Sequence, residues 1–204
     1  MKSMRNSLTM LLACCAFSLG GIAQAPANGT IVPGESVAGL KLGSTFSEFQ
    51  TMFPNHPGID EDATDDVQDG CPERSYHWLD IDRDANGVYA YFKNGKLYQL
   101  SVHTPRFALA NGVRIDSRTE EAKQAYPGGR EYVLLGSGSA VVGGKDLLYW
   151  VDKADGIALE FYWNRRKHER LVSGIDIFPR GSDYLPSGCI SPPQKWQQLK
   201  QTPR

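Results

Sequence analysis

The chain is 204 residues long, and its 22 Lys and Arg stand against 23 Asp and Glu, a formal net charge of −1. A balance this close to neutral excludes nucleic-acid binding driven by overall charge. Beyond the N-terminal region, no stretch approaches membrane-spanning length.

The first segment, MKSMRNSLTMLLACCAFSLGGIAQA, sets Lys2 and Arg5 before an apolar run and ends on Ala23-Gln24-Ala25. That is the layout of a secretory signal with an A-x-A cleavage site. Residues 1–25 are therefore set apart as a signal peptide, and the product is expected to be periplasmic or secreted. A competing reading is a lipoprotein signal, since Leu11-Leu12-Ala13-Cys14 resembles a lipobox, although the apolar stretch before Cys14 is very short. After residue 25 the cysteines are Cys71 and Cys189. An isolated pair in an oxidising compartment is expected to form a disulfide, worth at most about 4–5 kcal/mol for so long a loop. The alternative is two unpaired thiols.

The chain then repeats itself. GLKLGSTFSEFQTMFP, from Gly39 to Pro54, lies without gaps over GVRIDSRTEEAKQAYP, from Gly112 to Pro127. Further on, Trp78-Leu79-Asp80 matches Trp150-Val151-Asp152, and ANGVYAYF matches ADGIALEF with Gly87 on Gly156 and Phe92 on Phe161. Agreements in one order at a nearly constant offset predict two similar units in tandem.

Each unit opens with a helix. Thr45 with Glu48, and Ser117 with Glu120, fit the S/T-x-x-E capping box. Phe46, Phe49 and Phe53 fall at i, i+3 and i+7 and give the first helix one apolar stripe. Pro54 and Pro127 end both helices. Strands follow: YHWLDI, GVYAYFK and KLYQLSVHT in the first unit, then DLLYWVD, GIALEFYW and RLVSGIDIF in the second, with REYVLL as an additional strand. Asn94-Gly95 is a strong hairpin signal. The fold class is α+β, two tandem units that each lay a capped helix on an antiparallel sheet. The units are 26–105 and 106–185, with a tail over 186–204.

Between Asp80 and Gly87, Asp82, Asp84, Asn86 and Gly87 spell the opening of a calcium loop. The second unit joins the same strands through a short Asp155-Gly156 turn, and position twelve of a loop starting at Asp82 is Lys93 instead of the bidentate Glu such a loop needs. The stretch reads as a hairpin extension, with no metal site. SAVVGGKD, Ser139 to Asp146, lacks the first Gly and the final hydroxyl of a phosphate loop. No nucleophile elbow is present, and the four histidines lack metal-ligand spacing. No cofactor is indicated, and the reading leans away from an enzyme. A hydrolase would need a pocket between the units lined by His77, His103 or Asp80. The acidic run Asp60 to Asp69 and the basic hairpin tip Arg165 to Arg170 read as solvated loops, the latter able to meet an anionic lipid surface.

Strand alternation sets Val88, Ala90 and Phe92, and their counterparts Ile157, Leu159 and Phe161, under the helices. The other face is assigned Tyr89 and Tyr91 with Tyr76, Trp78 and Asp80, and in the second unit Trp150, Asp152, Glu160 and Tyr162. Tyr and Trp dominate protein-binding hot spots. Cross-strand pairing of aromatics for sheet stability is the plainer account of the same residues.

LGSTFSEFQTMFP, a Trp-containing strand and VYAYFKNGKLYQLSV together resemble the pattern of BamE-type outer-membrane lipoproteins, and two such units in tandem resemble the β-lactamase-inhibitory protein family. That resemblance implies helix-plus-sheet repeats that present an aromatic sheet to a partner protein. It would put Trp78, Tyr89, Tyr91, Trp150 and Tyr162 at the interface. The chain departs from the inhibitors in lacking a cysteine pair within each repeat, so β-lactamase inhibition is not implied. Asp116, standing where the first unit has Gly43, weakens the second unit's match. The expectation is an exported, non-enzymatic binder of a protein partner through Tyr76, Trp78, Tyr89, Tyr91, Trp150 and Tyr162. The alternative is an envelope-associated structural or lipid-contacting module of BamE type, in peripheral contact with the membrane.

Overall fold

The computed structural model describes residues 29–52, 59–62, 74–79, 87–134, 147–184 and 196–198. The expected signal segment with Cys14, the cysteines Cys71 and Cys189 of the expected disulfide, the acidic stretch 80–86, most of the 60–69 run and the 139–146 stretch lie outside the described residues.

Among the described residues, thirteen strands and two short helices form a mixed α/β architecture that is mostly sheet. A small sheet holds β1 (Gly29–Val32), β2 (Ser36–Val37), β3 (Leu40–Lys41) and β8 (Phe107–Leu109), in the order β3-β2-β1-β8. β1 runs antiparallel to β2 and parallel to β8. Its pairing with β8 joins residues on either side of the expected 105/106 boundary. Gly29 is required there, because a Cβ would sit 1.7 Å from Cδ1 of Phe107.

The large sheet holds β4 (Ile59–Asp62), β5 (Arg74–Leu79), β6 (Gly87–Lys93), β7 (Lys96–Val102), β9 (Arg130–Leu134), β10 (Leu147–Asp152), β11 (Ile157–Asn164), β12 (Glu169–Ile177) and β13 (Trp196–Gln198). Its order is β13-β9-β10-β11-β12-β7-β6-β5-β4, antiparallel throughout. The strands 74–102 and 147–177 thus share one sheet, joined edge to edge at the β7/β12 seam. Only Val102↔Ile175, Ser101↔Asp176 and Leu100↔Ile177 pair there.

Local chemistry accounts for the turns. Asn94 and Gly95, between β6 and β7, take φ of 52° and 68°, the left-handed pair a two-residue hairpin needs. Gly43 takes φ 84°, and its N–H donates to the Leu97 carbonyl at 2.7 Å, while Leu97 N–H donates to Ser44 O at 2.8 Å. Asp116 takes φ 68°, its N–H donates to Val172 O at 2.9 Å, and Val172 N–H donates to Ser117 O at 2.9 Å. Asp is one of the few L-residues that tolerate this conformation. Ladder irregularities fall between Tyr91 and Phe92 and between Glu160 and Phe161.

Helix α1 (Phe46–Met52) begins with a reciprocal capping box. Thr45 N–H donates to Glu48 Oε2 at 2.6 Å, and Glu48 N–H donates to Thr45 Oγ1 at 3.2 Å. Helix α2 (Thr119–Ala125) does not repeat it: its N-cap is Arg118, with no side-chain cap bond. The Ser117/Glu120 box expected from sequence is therefore a correction. The helix starts one residue later than that box requires, and Ser117 Oγ instead accepts the Arg114 N–H at 3.0 Å.

One sheet face packs beneath both helices. Val88, Ala90, Phe92, Leu100, Val102, Ile157, Leu159, Phe161, Val172, Ile175 and Ile177 are all buried there with Phe49 and Ala122. The Phe92 ring meets Phe46 and Phe49 edge-on at 5.7 and 5.8 Å. A seven-residue helix has little stability of its own, so these contacts hold α1 in place.

Candidate functional site

The face turned away from the helices is where the aromatic surface was expected, and the structure redistributes its members. Tyr89 and Tyr91 take that face, their rings 6.4 Å apart and 17° from parallel. Trp150 does not. It packs against the core cluster on the helix side, and its Nε1–H donates to the Tyr126 carbonyl at 2.8 Å. Gly129 leaves room for the indole, since a Cβ there would lie 2.1 Å from Nε1. Lys123 Nζ sits 5.1 Å from the Trp150 ring centroid and pairs with Glu131.

The register explains the correction. The four-residue turn after Asp152 pairs Asp152 with Ile157, and so Trp150 with Leu159, a core position. In the first half, Tyr76 pairs with Ala90 and Trp78 with Val88, again core-side positions, while Ser75 and His77 stand opposite Tyr91 and Tyr89. Positions 76 and 78 thus pair in register with residues of the helix-side face. Tyr162 stands apart, near the start of α2. Its hydroxyl donates to Asp116 Oδ1 at 3.2 Å and accepts from Asn164 Nδ2 at 3.1 Å. Asp152 is buried and caps its own turn, accepting the Ala154 and Asp155 N–H groups.

Residues that sequence reasoning did not bring together occupy the centre of the face. Asp176 is 1% exposed. Its Oδ1 accepts from the Ser101 hydroxyl and its Oδ2 from the Tyr184 hydroxyl. Ser101 Oγ also meets His103 Nε2 at 2.9 Å, and His103 Nδ1 lies 3.1 Å from the Ser173 carbonyl oxygen. Ser173 Oγ donates to Glu160 Oε1 at 2.7 Å, and Tyr149 OH donates to Glu160 Oε2 at 3.1 Å. Gly174 makes this packing feasible, because a Cβ there would come within 2.9 Å of His103 Cε1. The His103 ring stands edge-on to Tyr89 at 5.6 Å.

Burial dominates the electrostatics. It lifts the Asp176 carboxyl to about 6, against the opposing pull of His103, Ser101 and Tyr184. Burial first, and the neighbouring carboxylates second, also raise Tyr149 and Tyr184 far above the ordinary phenol range, so both remain donors. The order of contacts matters for chemistry. In a nucleophilic triad the imidazole stands between acid and hydroxyl. Here the hydroxyl stands between acid and imidazole, and Ser101 is fully buried. Ser101 is a structural relay and is not placed as a nucleophile.

Around this centre Tyr89, Tyr98, Tyr132, His103, Glu160 and Ser173 keep part of their surface in solvent. Tyr149, Val151, Ala158, Phe178 and Tyr184 form an apolar floor beside them. The basic hairpin tip lies elsewhere, with Arg165, Arg166, Lys167 and His168 exposed. Asn164 Oδ1 fixes its shape by accepting the Arg166 and Lys167 N–H groups at 3.0 Å each. No group of three or more potential metal ligands occurs among the described residues, and no described helix is long and apolar enough to cross a membrane.

Fold and face together define a mixed α/β protein built on one broad sheet, with helices on one side and a tyrosine-rich polar face on the other. No protein-family model matches the chain, and no curated protein matches it. Among solved structures it is similar to the uncharacterized protein YfeY from Escherichia coli, at 13% identity over 72% of this chain and 98% of that one, with a TM-score of 0.48. It is also similar to an extracellular protein containing a SCP domain from Bacillus anthracis str. Ames, at 11% identity over 69% of this chain and 44% of that one, with a TM-score of 0.39.

Proposed function

We propose that this chain is an exported, non-enzymatic binding module whose protein partner docks on the sheet face turned away from α1 and α2. The observation that carries the reading is the Tyr89, Tyr91 and His103 cluster. Its rings are held by contact with one another and by the buried hydrogen-bond chain below, while Tyr89 and His103 stay partly exposed. Tyrosine offers a large amphipathic surface at low entropic cost, and side chains already locked in place lose little on binding. Tyr98 and Tyr132 extend the same chemistry across the sheet, and Glu160 adds a carboxylate.

We further infer that the module is a tandem of two related units fused through their last strands. Support comes from the paired features of the backbone. Gly43 and Asp116 share left-handed geometry and the same two bonds, to Leu97 and Val172 respectively. Thr45↔Lys96 and Arg118↔Leu171 form matching bridges. The irregularities before Phe92 and Phe161 also correspond. Ser101 and Asp176 then lie where the pseudo-twofold axis crosses the seam. The inhibitor-like resemblance fits this reading, with the partner left open.

The test is capture from envelope extract by the full chain, beside Tyr89→Ala and, as a control on the helix side, Gln124→Ala. All three baits are first checked for identical circular dichroism and melting. One protein retained by the unaltered chain and the control but lost by Tyr89→Ala is the expected result. Equal capture by all three, or none, would sink the proposal.

A further inference from the structure

The buried chain Tyr184–Asp176–Ser101–His103 has a proton count. His103 Nδ1 faces the Ser173 carbonyl at 3.1 Å, and a carbonyl only accepts, so Nδ1 carries a hydrogen. The Tyr184 hydroxyl is committed to Asp176 Oδ2. Ser101 has one hydroxyl hydrogen and two neighbours, Asp176 Oδ1 and His103 Nε2. If that hydrogen goes to the carboxylate, Nε2 must donate to Ser101 Oγ, and the imidazole is cationic. If it goes to Nε2, the carboxyl must be protonated and donate to Oγ.

Both fully bonded arrangements hold the same single extra proton and differ only in which end carries it. With that proton gone, Ser101 keeps its stronger bond to the buried carboxylate. His103 Nε2 then sets a lone pair against the lone pairs of Ser101 Oγ. With a second proton added, Ser101 faces two donors and its own hydrogen has no acceptor.

We propose that one proton, shared by Asp176 and His103 through the Ser101 hydroxyl, tethers the His103 ring against Tyr89, and that its loss on raising pH releases the ring and reshapes this face. The groups that face this chain come from each element packed against it. From β11, Glu160 is held by Ser173 and Tyr149; from β10 comes Tyr149; from the segment after β12 comes Tyr184. From β6 come Tyr89 and Tyr91, and His77 of β5 stands opposite Tyr89 in register. Glu160 is the one further acid among these groups, and its charge favours the protonated pair. Burial raises the Asp176 carboxyl to about 6, which favours keeping the shared proton. With that proton bound the ring is tethered; with it lost at higher pH the tether is lost. That partner binding should follow the same pH rests on the proposed function, whereas the tether itself does not.

The experiment is an NMR titration of the full chain from about pH 4 to 9, following the His103 ring nitrogens, the Asp176 carboxyl carbon and the Tyr89 ring. The His103 and Asp176 signals are expected to move together with one midpoint, and the Tyr89 signals to follow it. In Asp176→Asn the amide supplies the hydrogen to Ser101 Oγ without titrating, so the ring stays tethered and the Tyr89 response is lost. Ser101→Ala removes only the relay hydroxyl and leaves the ring untethered at every pH. Separate midpoints for His103 and Asp176, or an unchanged Tyr89 response in Asp176→Asn, would overturn the proposal. The readout needs no partner, so failure here and failure of the capture experiment are distinguishable.

Discussion

Phe92 is the contact through which α1 is fastened to the sheet, and its substitution by leucine isolates that role. The side chain is 2% exposed and stands edge-on to Phe46 and Phe49. Leucine keeps most of the buried apolar area but removes both ring pairs, each worth about 0.5–1.5 kcal/mol beyond area burial. Phe92→Leu should therefore cost about 1–3 kcal/mol. Phe92→Ala, which also opens a cavity, should cost about 3–5 kcal/mol, a large part of the 5–15 kcal/mol typical of a whole domain. Urea denaturation measures the total, and native-state hydrogen exchange shows where it falls. The amides of α1 should lose protection while those of α2, which packs through Ala122, keep theirs. A loss below about 0.5 kcal/mol, or equal loss of protection in both helices, would refute the reasoning.

Two further contrasts follow from the same geometry. Thr45→Ala removes a capping box and should lower stability by about 1 kcal/mol, whereas Glu120→Ala, at an N-terminus without a side-chain cap, should change it by less than about 0.5 kcal/mol; thermal melts of the two variants decide this. Gly43→Ala meets no atom within 4 Å and should cost only the left-handed backbone strain, about 1 kcal/mol. Gly156→Ala adds a Cβ 2.3 Å from the Phe178 carbonyl oxygen and should cost at least about twice as much, read from urea midpoints.

Much of the scaffold was legible because its signals are local. Asn94-Gly95 specified a tight turn, Thr45 and Glu48 specified a helix start, and the alternation of Val88, Ala90 and Phe92 specified a core face. Asp116 reads as a mismatch to Gly43 by residue type, yet its backbone takes the same left-handed shape. The face of Trp150 was misassigned because alternation within a strand does not fix register against its neighbour. The turn length does, and four residues after Asp152 send Trp150 to the helices. The network at the seam left only a faint mark: a lone acid between isoleucines at Ile175-Asp176-Ile177, which as a buried charge demands donors. Its partner Ser101 comes from the other half of the chain, brought close by a seam pairing that no local pattern encodes, and Tyr184 returns to it from the segment after β12. The small sheet was hidden for a similar reason, since β1 meets β8 only after the chain has traversed half of the large sheet.

The central claim, that the tyrosine-bearing face is the docking surface, is tested most directly by site-specific photocrosslinking in the envelope. A photoreactive phenylalanine analogue would replace Tyr89 or Tyr132 on the sheet face, and Glu121 or Gln124 on the exposed side of α2. Adducts of one size, to one protein, from both sheet positions and from neither helix position are what the account predicts. Adducts that form from α2 as readily, or that fail to form from the sheet while α2 yields them, would contradict it.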